Sequence, residues 1–477
     1  MKHVILGAGP AGVIAAETLR KHAPKDEIVI IGDEPEAPYS RMAIPYLLSA
    51  KVGEEGTHLR HGADHFAQLR IEVKRGVRAK AVDVENRCVL LDDGASLPFD
   101  KLLIATGSSP ASPPIPGIHG KGVHACWTLA DARAIMKLAQ PGARVLQMGA
   151  GFIGCIIMES LAMRGVKLSV VEMGDRMVPR MMGPTAGGMI KDWCEKKGVA
   201  VYTGARVEAI DRPAAAPAPA AAPVVAPPAP EPGLLHRLAQ AVGLASAPPP
   251  PAPAPPPPPV AAPVAAAPTA PMSVRLSTGQ RLDADLVISA TGVKPNIGFL
   301  EHSGITCLVG VLTDEHLQTN VPGIYAAGDC AEAFDKVSGT TIVSAIQPNA
   351  AEQARVAALN MAGQACELKG VTQINVLDTL GMISASFGQW DGVPGGEQVE
   401  LVDRAAGKLL SLQFAGDRLV GCNAVGWTEH VGVMRGLVEG QVRLSGDWKQ
   451  RLMADPTLLM EAYLANAQAQ QTMAHVR

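Results

Sequence analysis

The sequence predicts an α/β protein with two βαβ units, because one glycine signature occurs twice in the same local context. The first copy spans residues 7–12 and the second spans residues 149–154. Each copy follows a short run rich in β-forming residues, at 2–6 and 143–148, and precedes a helix-like stretch. A lone G-x-G-x-x-G motif is weak evidence, but a strand before it and a helix after it are the context it requires.

The glycines of each copy have distinct roles in such a unit. The first permits a tight turn, the second lets the backbone approach a pyrophosphate, and the third lets the helix pack on the strand. Unpaired N–H groups at the helix N-terminus then bind phosphate oxygens. Two units in one chain therefore predict two bound dinucleotides with electron transfer between them. The loop residues are Gly7, Gly9, Pro10, Ala11 and Gly12 in the first unit, and Gly149, Gly151, Phe152, Ile153 and Gly154 in the second.

An acidic residue is expected at the end of the second strand of each unit. The strand-like run 27–32 leads to Asp33 and Glu34, and the run 166–171 leads to Glu172. A carboxylate there accepts hydrogen bonds from ribose hydroxyls and repels a 2′-phosphate. Glu172 therefore predicts a preference for NADH over NADPH, which the nearby Arg176 would weaken. The pattern does not choose between Asp33 and Glu34.

Length and composition predict a multidomain, cytoplasmic enzyme. The chain has 477 residues and a formal net charge of −3, without a basic cluster interleaved with aromatic residues, so nucleic acid is not an expected partner. Glycines interrupt the apolar start, which argues against a signal peptide, and no apolar run reaches the ~18 residues of a membrane span. The eight cysteines form no C-x-x-C pair, so neither a metal site nor a disulfide framework is predicted.

Three further motifs extend the pattern. Residues 103–107 read Leu-Ile-Ala-Thr-Gly, residues 289–296 read Ser-Ala-Thr-Gly-Val-Lys-Pro-Asn, and residues 324–330 read Ile-Tyr-Ala-Ala-Gly-Asp-Cys. With the two glycine loops, and in this order, they resemble the FAD-dependent pyridine-nucleotide-disulfide oxidoreductases of the glutathione-reductase superfamily. The resemblance implies FAD and NADH as cofactors. In addition to the first glycine loop, the residues that it assigns to FAD are Asp33 or Glu34, Arg41, Thr106, Gly107 and Asp329. In addition to the second glycine loop and Glu172, it assigns Gly292 to NAD.

The resemblance also implies an architecture of two Rossmann-like domains and a small α+β C-terminal domain. The FAD domain would comprise residues 1–115 and 295–368, and the NAD domain, 116–294, would be inserted in it. Residues 128–135 are expected to form the helix that enters the NAD domain. The C-terminal interface domain, 369–477, is expected to contain a strand meander followed by a helix-like segment at 448–467.

Residues 212–272 interrupt the resemblance and are dominated by Ala and Pro. Such a composition cannot bury enough apolar surface to form a core, so we expect disorder. The insertion falls between 207–210 and 274–276, which we predict to be neighbouring strands, and a hairpin tip tolerates a long loop. Within it, residues 233–245 are helix-like with one apolar face. This island is interpreted either as a docking helix for a partner subunit or as a segment that folds back on its own protein.

The resemblance of residues 39–47 to two branches of the family predicts which type of redox chemistry the protein uses. The segment is similar to the NADH oxidase and coenzyme A-disulfide reductase branch, which places its redox cysteine where this chain has Met42. A thioether forms no thiolate, so thiol chemistry at this position is excluded. It is also similar to the flavin modules of ferredoxin, rubredoxin and nitrite reductases, many of which pair a Lys near position 46 with a Glu at 156. This chain has Tyr46 and Ile156 instead.

No catalytic acid or base is assigned from the sequence. The flavin-proximal candidates are Tyr46 and Arg41, and Tyr46 is interpreted either as stacking near the flavin or as a packed aromatic residue under the flavin loop. Cys155 and Cys330 are expected to be packed in the core rather than reactive.

The resemblance therefore implies an FAD-dependent NADH oxidoreductase without a thiol relay. Electrons would pass from NADH through FAD to a protein acceptor, either rubredoxin- or ferredoxin-like or a metalloenzyme partner subunit. Two alternatives stay open: direct reduction of oxygen, a quinone or a peroxide, and a flavin-containing assembly subunit of a larger redox complex. A homodimer and a place in a hetero-complex are both compatible with the sequence.

Overall fold

The computed structural model describes residues 1–62, 64–212, 271–371 and 373–474, with side chains described as far as residue 466. Met1–Asp211 and the chain from Met272 onward form one compact unit. The helix-like island at 233–245 lies outside the described residues. No helix in the described part of the chain is long and apolar enough to cross a membrane.

The first sheet is parallel and carries the first glycine loop. Apart from the edge strand at residues 71–75, its strands consist mainly of buried apolar residues, because both faces of the sheet are covered. One face is covered by α1 (Pro10–His22) and α7 (Gln347–Met361), which pack through alanines. The strands, in spatial order, are β19 (Ile324–Ala326), β7 (Lys101–Ile104), β1 (Lys2–Leu6), β2 (Glu27–Gly32) and β3 (Ile71–Arg75).

The second sheet repeats this arrangement with the second glycine loop. It is also parallel, and its residues fall between β7 and β19 in the chain, so the predicted α/β class with one Rossmann-like unit inserted in another is confirmed. Its strands, in spatial order, are β12 (Ala200–Thr203), β11 (Lys167–Glu172), β10 (Arg144–Met148), β16 (Leu286–Ser289) and β9 (Val123–His124). Its helices are α4 (Leu129–Leu138), α5 (Phe152–Met163) and α6 (Pro184–Lys196).

Helix α4 begins where the sequence predicts. The Thr128 side chain accepts a hydrogen bond from the Asp131 N–H, and the Asp131 carboxylate accepts one from the Thr128 N–H, which forms a capping box. Burial raises the pKa of Asp131, but hydrogen bonds from His124, Thr128 and Trp127 outweigh it and lower the value to about 2.

Short antiparallel sheets connect these units. Two are three-stranded meanders, one beside each parallel sheet: β4 (Ala79–Asp83), β5 (Cys88–Leu91) and β6 (Ser96–Pro98), then β13 (Val207–Asp211), β14 (Met272–Leu276) and β15 (Arg281–Ala284). A third pairs β8 (Ser108–Pro110) with β17 (Val293–Pro295). Besides these antiparallel sheets, a mixed sheet contains β18 (Val311–Leu312), β20 (Ala331–Asp335) and β21 (Thr340–Ile342), in which β20 pairs with β18 in parallel and with β21 antiparallel. The remaining short helices are α2 (Ile44–Leu48), α3 (His65–Gln68) and the 3-10 turns Arg41–Ala43, Glu54–Thr57, Gly298–Leu300 and Pro456–Leu458.

The C-terminal region forms a five-stranded antiparallel sheet with helices on one face. The strands, in spatial order, are β22 (Ile374–Thr379), β23 (Met382–Gly388), β26 (Arg418–Val425), β25 (Lys408–Ala415) and β24 (Glu397–Asp403). The helices are α8 (Val431–Glu439), α9 (Trp448–Ala454) and α10 (Leu459–Ala474).

The helix-like stretch expected at 448–467 is helical but divided in two. The chain leaves α9 at Asp455 and resumes as a helix after Pro456. Proline has no N–H to continue the α9 ladder, and the Asp455 side chain caps the new turn by accepting from the Thr457 N–H. The sequence did not predict helix α8, because the glycines within it weaken the helical pattern.

The hairpin between β13 and β14 generates a prediction. Asp211 pairs with Ser273 in antiparallel register, so Arg212 and Met272 lie opposite each other at the hairpin end. Replacing residues 213–271 by Asn-Gly should therefore close a two-residue turn, which suits the twist of such hairpins. The expected change in melting temperature is less than about 4 °C, since loop length adds little to stability.

Differential scanning fluorimetry of both proteins checks this expectation. A second variant with an eight-residue Gly-Ser linker separates turn strain from loss of the segment. A large drop in melting temperature for both variants would show that residues 213–271 contribute to the fold.

Candidate functional site

The first glycine loop joins β1 to α1, and its glycines meet different surroundings. Gly7 has a φ of +119°, and a Cβ there would lie 2.0 Å from the carbonyl oxygen of Ala105. A Cβ on Gly12 would lie 1.9 Å from the carbonyl oxygen of Gly7. Around the Cβ position of Gly9, by contrast, no atom of the described residues lies within 4 Å. The fold itself requires Gly7 and Gly12, whereas Gly9 leaves room for a ligand.

The second glycine loop has the same geometry. Gly149 has a φ of +94°, and its Cβ would lie 2.4 Å from the carbonyl oxygen of Ala290. A Cβ on Gly154 would lie 2.6 Å from the carbonyl oxygen of Gly149, while the space beside Gly151 is open to 4 Å among the described atoms. Both Ala105 and Ala290 belong to Ala-Thr-Gly segments. Each of these segments therefore supports the turn of one glycine loop.

Both loops end in a helix N-terminus that can bind an anion. Gly9 is the N-cap of α1 with φ −78° and ψ −172°, and Gly151 is the N-cap of α5 with φ −75° and ψ −172°. Within the described chain neither helix has a side-chain cap or an acidic residue in its first turn. The N–H groups of these first turns are therefore oriented for phosphate oxygens.

The acidic residues of the two units do not occupy equivalent positions. The Gly7 N–H donates to the carbonyl of Ile31 at 2.7 Å, and the Gly149 N–H donates to that of Val171 at 2.8 Å. Glu172 is therefore the counterpart of Gly32, and the acids of the first unit, Asp33 and Glu34, follow one and two residues later, directly after β2 as the sequence predicts. A Cβ on Gly32 would lie 2.8 Å from the Cβ of Ala8, which explains the glycine there.

Glu172 is 9% exposed and lies against the second glycine loop. One carboxylate oxygen accepts from the Ala150 N–H and the other from the Gly174 N–H, both at 2.7 Å. The Arg176 side chain instead donates to the carbonyl of Met182 at 2.9 Å and to Asp175 at 2.7 Å.

Asp33 and Glu34 point into different environments. Asp33 is exposed and accepts from Arg78 at 2.8 Å. Glu34 is half-buried and accepts from the Tyr39 hydroxyl at 2.7 Å and from Arg41 Nη2 at 3.1 Å. Burial, with the Glu34 carboxylate, raises the pKa of Tyr39, so this hydroxyl stays a donor. The structure thus joins Glu34, and not Asp33, to Arg41.

Arg41 connects this pair to Asp329 through a residue that the sequence analysis missed. Arg41 Nη1 donates to the carbonyl of Ser108 at 2.9 Å, and Ser108 Oγ donates to Asp329 at 2.8 Å. The Trp127 indole N–H donates to the same carbonyl at 3.1 Å, and the Arg41 guanidinium lies 5.0 Å from the Trp127 ring centroid. Burial raises the pKa of Asp329, against the opposing effects of Ser108 and Arg41. Ser108 follows an Ala-Thr-Gly segment directly, which was an available signal, whereas no motif marks Trp127.

The two Ala-Thr-Gly segments are joined to each other. Thr106 Oγ1 donates to the carbonyl of Asn296 at 2.8 Å, and Asn296 Nδ2 donates back to the carbonyl of Thr106 at 3.0 Å. Gly107 and Gly292 turn their segments with φ of +65° and +108°. The exposed Arg180, also missed by sequence, places its guanidinium 3.8 Å from the Cβ position of Gly292. The structure therefore brings both glycine loops and both Ala-Thr-Gly turns into one region.

Position 42 carries an exposed side chain. Met42 is 49% and Tyr46 is 53% exposed, so the interpretation of Tyr46 as a packed aromatic residue is wrong. Helix α2 nevertheless packs on α5, where Ser160 Oγ donates to the carbonyl of Pro45 at 2.8 Å. A Lys–Glu pair does join these segments, but further along them: Lys51 lies 3.4 Å from Glu159 at the surface.

Thiol and metal chemistry find no support in the described residues. All eight cysteines are free, and Cys155 and Cys330 are completely buried, as expected. Burial raises the pKa of Cys155, Cys330 and Cys422, and it raises that of Cys194 to about 12, which disfavours thiolates. No group of His, Cys, Asp and Glu side chains in the described chain is arranged to hold a metal ion.

Comparison with known proteins agrees with this geometry. Residues 1–220 and 262–358, more than half of the chain, match the family described as "Pyridine nucleotide-disulphide oxidoreductase". The chain is 29% identical over 458 residues to "NADH-dependent phenylglyoxylate dehydrogenase subunit epsilon" of Aromatoleum evansii, covering 95% of each protein. It is 29% identical over 373 residues to an "NADH oxidase" of Methanocaldococcus jannaschii, covering 76% of this chain and 70% of that one.

A solved structure extends the comparison of the fold. The crystal structure of the covalent putidaredoxin reductase–putidaredoxin complex aligns with a TM-score of 0.79 at 21% identity, covering 98% of this chain and 99% of that chain. At this identity the likeness supports the shared fold alone.

The glycine geometry predicts two separable defects. Gly9→Ala adds a methyl group that meets only space reserved for the ligand, so the protein should fold but retain less than about a tenth of its FAD. Gly7→Ala places a Cβ against a carbonyl at a positive φ, so it should lose both FAD and stability. The measurements are the ratio of flavin to protein absorbance and the melting temperature of the FAD-free proteins.

Gly188→Ala is the matched control. Gly188 lies inside α6 with its Cβ position open among the described atoms, and alanine suits a helix interior, so FAD content should not change. Full FAD content in Gly9→Ala would contradict the assignment of this loop.

Proposed function

The chain belongs to the pyridine nucleotide-disulphide oxidoreductase family, and from that premise we propose that it oxidises NADH through FAD and passes the electrons to a protein acceptor. The observation that carries this proposal is the pair of uncapped glycine loops of matching geometry, each supported by its own Ala-Thr-Gly turn. Two dinucleotide sites brought together in this way suit electron transfer between FAD and NADH.

The first unit provides the residues that would hold FAD. The N–H groups of Ala11 and Gly12 suit its pyrophosphate, and Asp329 suits a hydroxyl of its ribityl chain because it is a half-buried carboxylate that already accepts from Ser108. Glu34 is the acid that we favour for the adenosine ribose, since it is held beside Arg41. Thr106 and Gly107 form the turn at the edge of this site.

The second unit provides the residues that would hold NADH. The N–H groups of Phe152, Ile153 and Gly154 at the start of α5 would bind its pyrophosphate, and Gly292 turns the second Ala-Thr-Gly segment with a φ of +108°. The Glu172 carboxylate has lone pairs left for ribose hydroxyls after accepting two backbone N–H groups. A bound FAD supplies a ring that takes a hydride and releases electrons one at a time.

Domain limits follow from this assignment. We propose an FAD domain of residues 1–115 and 295–368, an NAD domain of residues 116–294 and a C-terminal domain of residues 369–477. The strands of the first sheet come from residues 2–104 and 324–326, and those of the second from residues 123–289, in agreement with these limits.

A protein acceptor fits the chemistry at position 42. Met42 cannot relay electrons as a thiol, and the fully buried cysteines are held as neutral thiols. The Aromatoleum evansii relative is a subunit of an NADH-dependent dehydrogenase, which supports a partner subunit as acceptor. The free cysteines fit a reducing compartment, and we propose the cytoplasm.

Direct reduction of oxygen is a second candidate function. It is favoured by the similarity to the Methanocaldococcus jannaschii NADH oxidase. NADH-dependent oxygen consumption by the isolated protein distinguishes the two functions. A fast, partner-independent rate would support the oxidase, whereas a slow rate together with fast reduction of an electron-acceptor dye would support transfer to a protein.

The proposed function is tested by anaerobic stopped-flow mixing of the FAD-loaded protein with NADH and, separately, with NADPH. Bleaching of the flavin should be at least about tenfold faster with NADH at subsaturating concentration, because Glu172 repels a 2′-phosphate. Absence of bleaching with either nucleotide would overturn the reductase proposal.

Glu172→Gln tests the basis of that preference. The amide keeps the shape of the side chain but loses the charge and one of two acceptor oxygens, so one backbone N–H is left unpaired. The ratio of kcat/KM for NADH to that for NADPH should fall by about tenfold. Arg78→Gln at the exposed Asp33 is the control and should leave the ratio unchanged.

A further inference from the structure

One buried amide joins the C-terminal sheet to the second parallel unit. Asn423 lies on β26 and is 2% exposed. Its Oδ1 accepts from the Gly183 N–H at 2.9 Å, and its Nδ2 donates to the carbonyl of Met181 at 2.9 Å. Both partners belong to the segment between β11 and α6. Only an amide side chain of this size can both accept and donate here.

The segment that Asn423 holds contains a strained turn. Val178 has a φ of +49°, which a β-branched residue rarely adopts. Its carbonyl accepts from the Met181 and Met182 N–H groups at 2.9 and 3.0 Å. Such a conformation persists only where the surrounding structure holds it in place. The turn therefore depends on contacts at both of its ends.

The other end of the turn is attached to the second glycine loop. The Val178 N–H donates to the carbonyl of Ala150 at 2.9 Å, and the Ala150 N–H donates to Glu172 at 2.7 Å. A continuous series of hydrogen bonds thus runs from Asn423 through Met181 and Val178 to Ala150 and Glu172. It links the C-terminal sheet to the loop and the acid that we assign to NADH.

Because Asn423 is buried, its amide stabilises this geometry. A buried amide is costly unless both of its polar atoms are paired, and here the pairing requires the turn to be in place. The residues opposite Asn423 on the neighbouring strands, Ser386 and Ser411, are also buried and small. They leave the amide free of bulky neighbours within the sheet.

We propose that Asn423 is a positioning residue for NADH: it holds the turn at 177–183 against the second glycine loop, so that the C-terminal sheet sets the affinity for the nucleotide. This inference rests on the proposed function for the identity of the nucleotide. The hydrogen-bond series itself does not, so the two can be tested separately.

Limited proteolysis tests the positioning without requiring activity. Arg180 is exposed within the held segment, so trypsin can cleave after it when the turn opens. Asn423→Asp keeps an acceptor for Gly183 but loses the donor to Met181, so cleavage of the FAD-loaded protein after Arg180 should be about fivefold faster. Mass spectrometry identifies the fragment that ends at Arg180.

Asn466→Asp is the matched control. Asn466 is also 2% exposed, accepts from the Ser445 N–H at 2.6 Å and donates to the carbonyl of Ala462 at 2.6 Å, all within the C-terminal region. The Asn466→Asp variant loses the same kind of donor but leaves the turn at 177–183 unchanged. Its rate of cleavage after Arg180 should therefore equal that of the unmodified protein. Equal rates in Asn423→Asp and Asn466→Asp would overturn the proposal.

Steady-state kinetics with NADH as donor and ferricyanide as acceptor tests whether loss of the Asn423 amide weakens NADH binding. Asn423→Asp should raise the KM for NADH about tenfold and change kcat by less than about twofold, because the flavin site is not touched. Asn466→Asp should change neither. A fall in kcat at constant KM would contradict a role in positioning NADH.

A double-mutant cycle with Val178→Gly connects the effect to the turn. Glycine adopts a positive φ without strain, so the turn no longer needs support from Asn423. The KM effect of Asn423→Asp should therefore shrink to less than about threefold in the Val178→Gly background. An undiminished effect would overturn the assigned route. Failure of NADH to bleach the unmodified protein would instead refute the proposed function, while the proteolysis result would still decide the role of Asn423.

Discussion

The contact of a glycine Cα with an alanine carbonyl is the constraint on which the rest of this structure depends. Gly7 approaches the carbonyl of Ala105, and Gly149 approaches that of Ala290, more closely than any side chain would allow. Each contact brings the start of a helix to the end of a neighbouring parallel strand. Because the two Ala-Thr-Gly segments are also hydrogen-bonded to each other through Thr106, fixing the two contacts fixes the relative position of both glycine loops.

This arrangement explains where polar groups are tolerated in an otherwise apolar interior. Asp329, Ser108 and Glu172 are buried or nearly so, and each is satisfied by hydrogen bonds at the carboxyl ends of the parallel strands. Elsewhere in the two parallel sheets, the central strands are mainly apolar, with His3 and Gln147 as buried exceptions. The strand ends therefore bring several polar side chains together where parallel sheets of this kind bind ligands.

The sequence predicts the local parts of this site well and the distant parts poorly. Glycine spacing is read directly from the chain, and so is the helix that begins after Thr128, because both depend on residues close together in sequence. The different positions of Glu172 and Glu34 depend on strand register, which a motif does not reveal. Trp127 and Asn423 contact their partners across distances that no local pattern encodes. The break at Pro456 was visible in the sequence but was outweighed by helical pattern on either side.

The loss of charge at positions 46 and 156 has a structural consequence that also bears on electron transfer. With Tyr46 and Ile156 in the contact region of α2 and α5, no buried ion pair has to be desolvated there, and Lys51 and Glu159 make their pair at the surface instead. A surface pair is weak and screened by salt. The contact between α2 and α5 is therefore stabilised by apolar packing and by the hydrogen bond from Ser160 to the carbonyl of Pro45. The segment that carries Met42 is thus fixed without a thiol or a buried charge, so electrons that leave a bound flavin would not pass through a thiol of this segment.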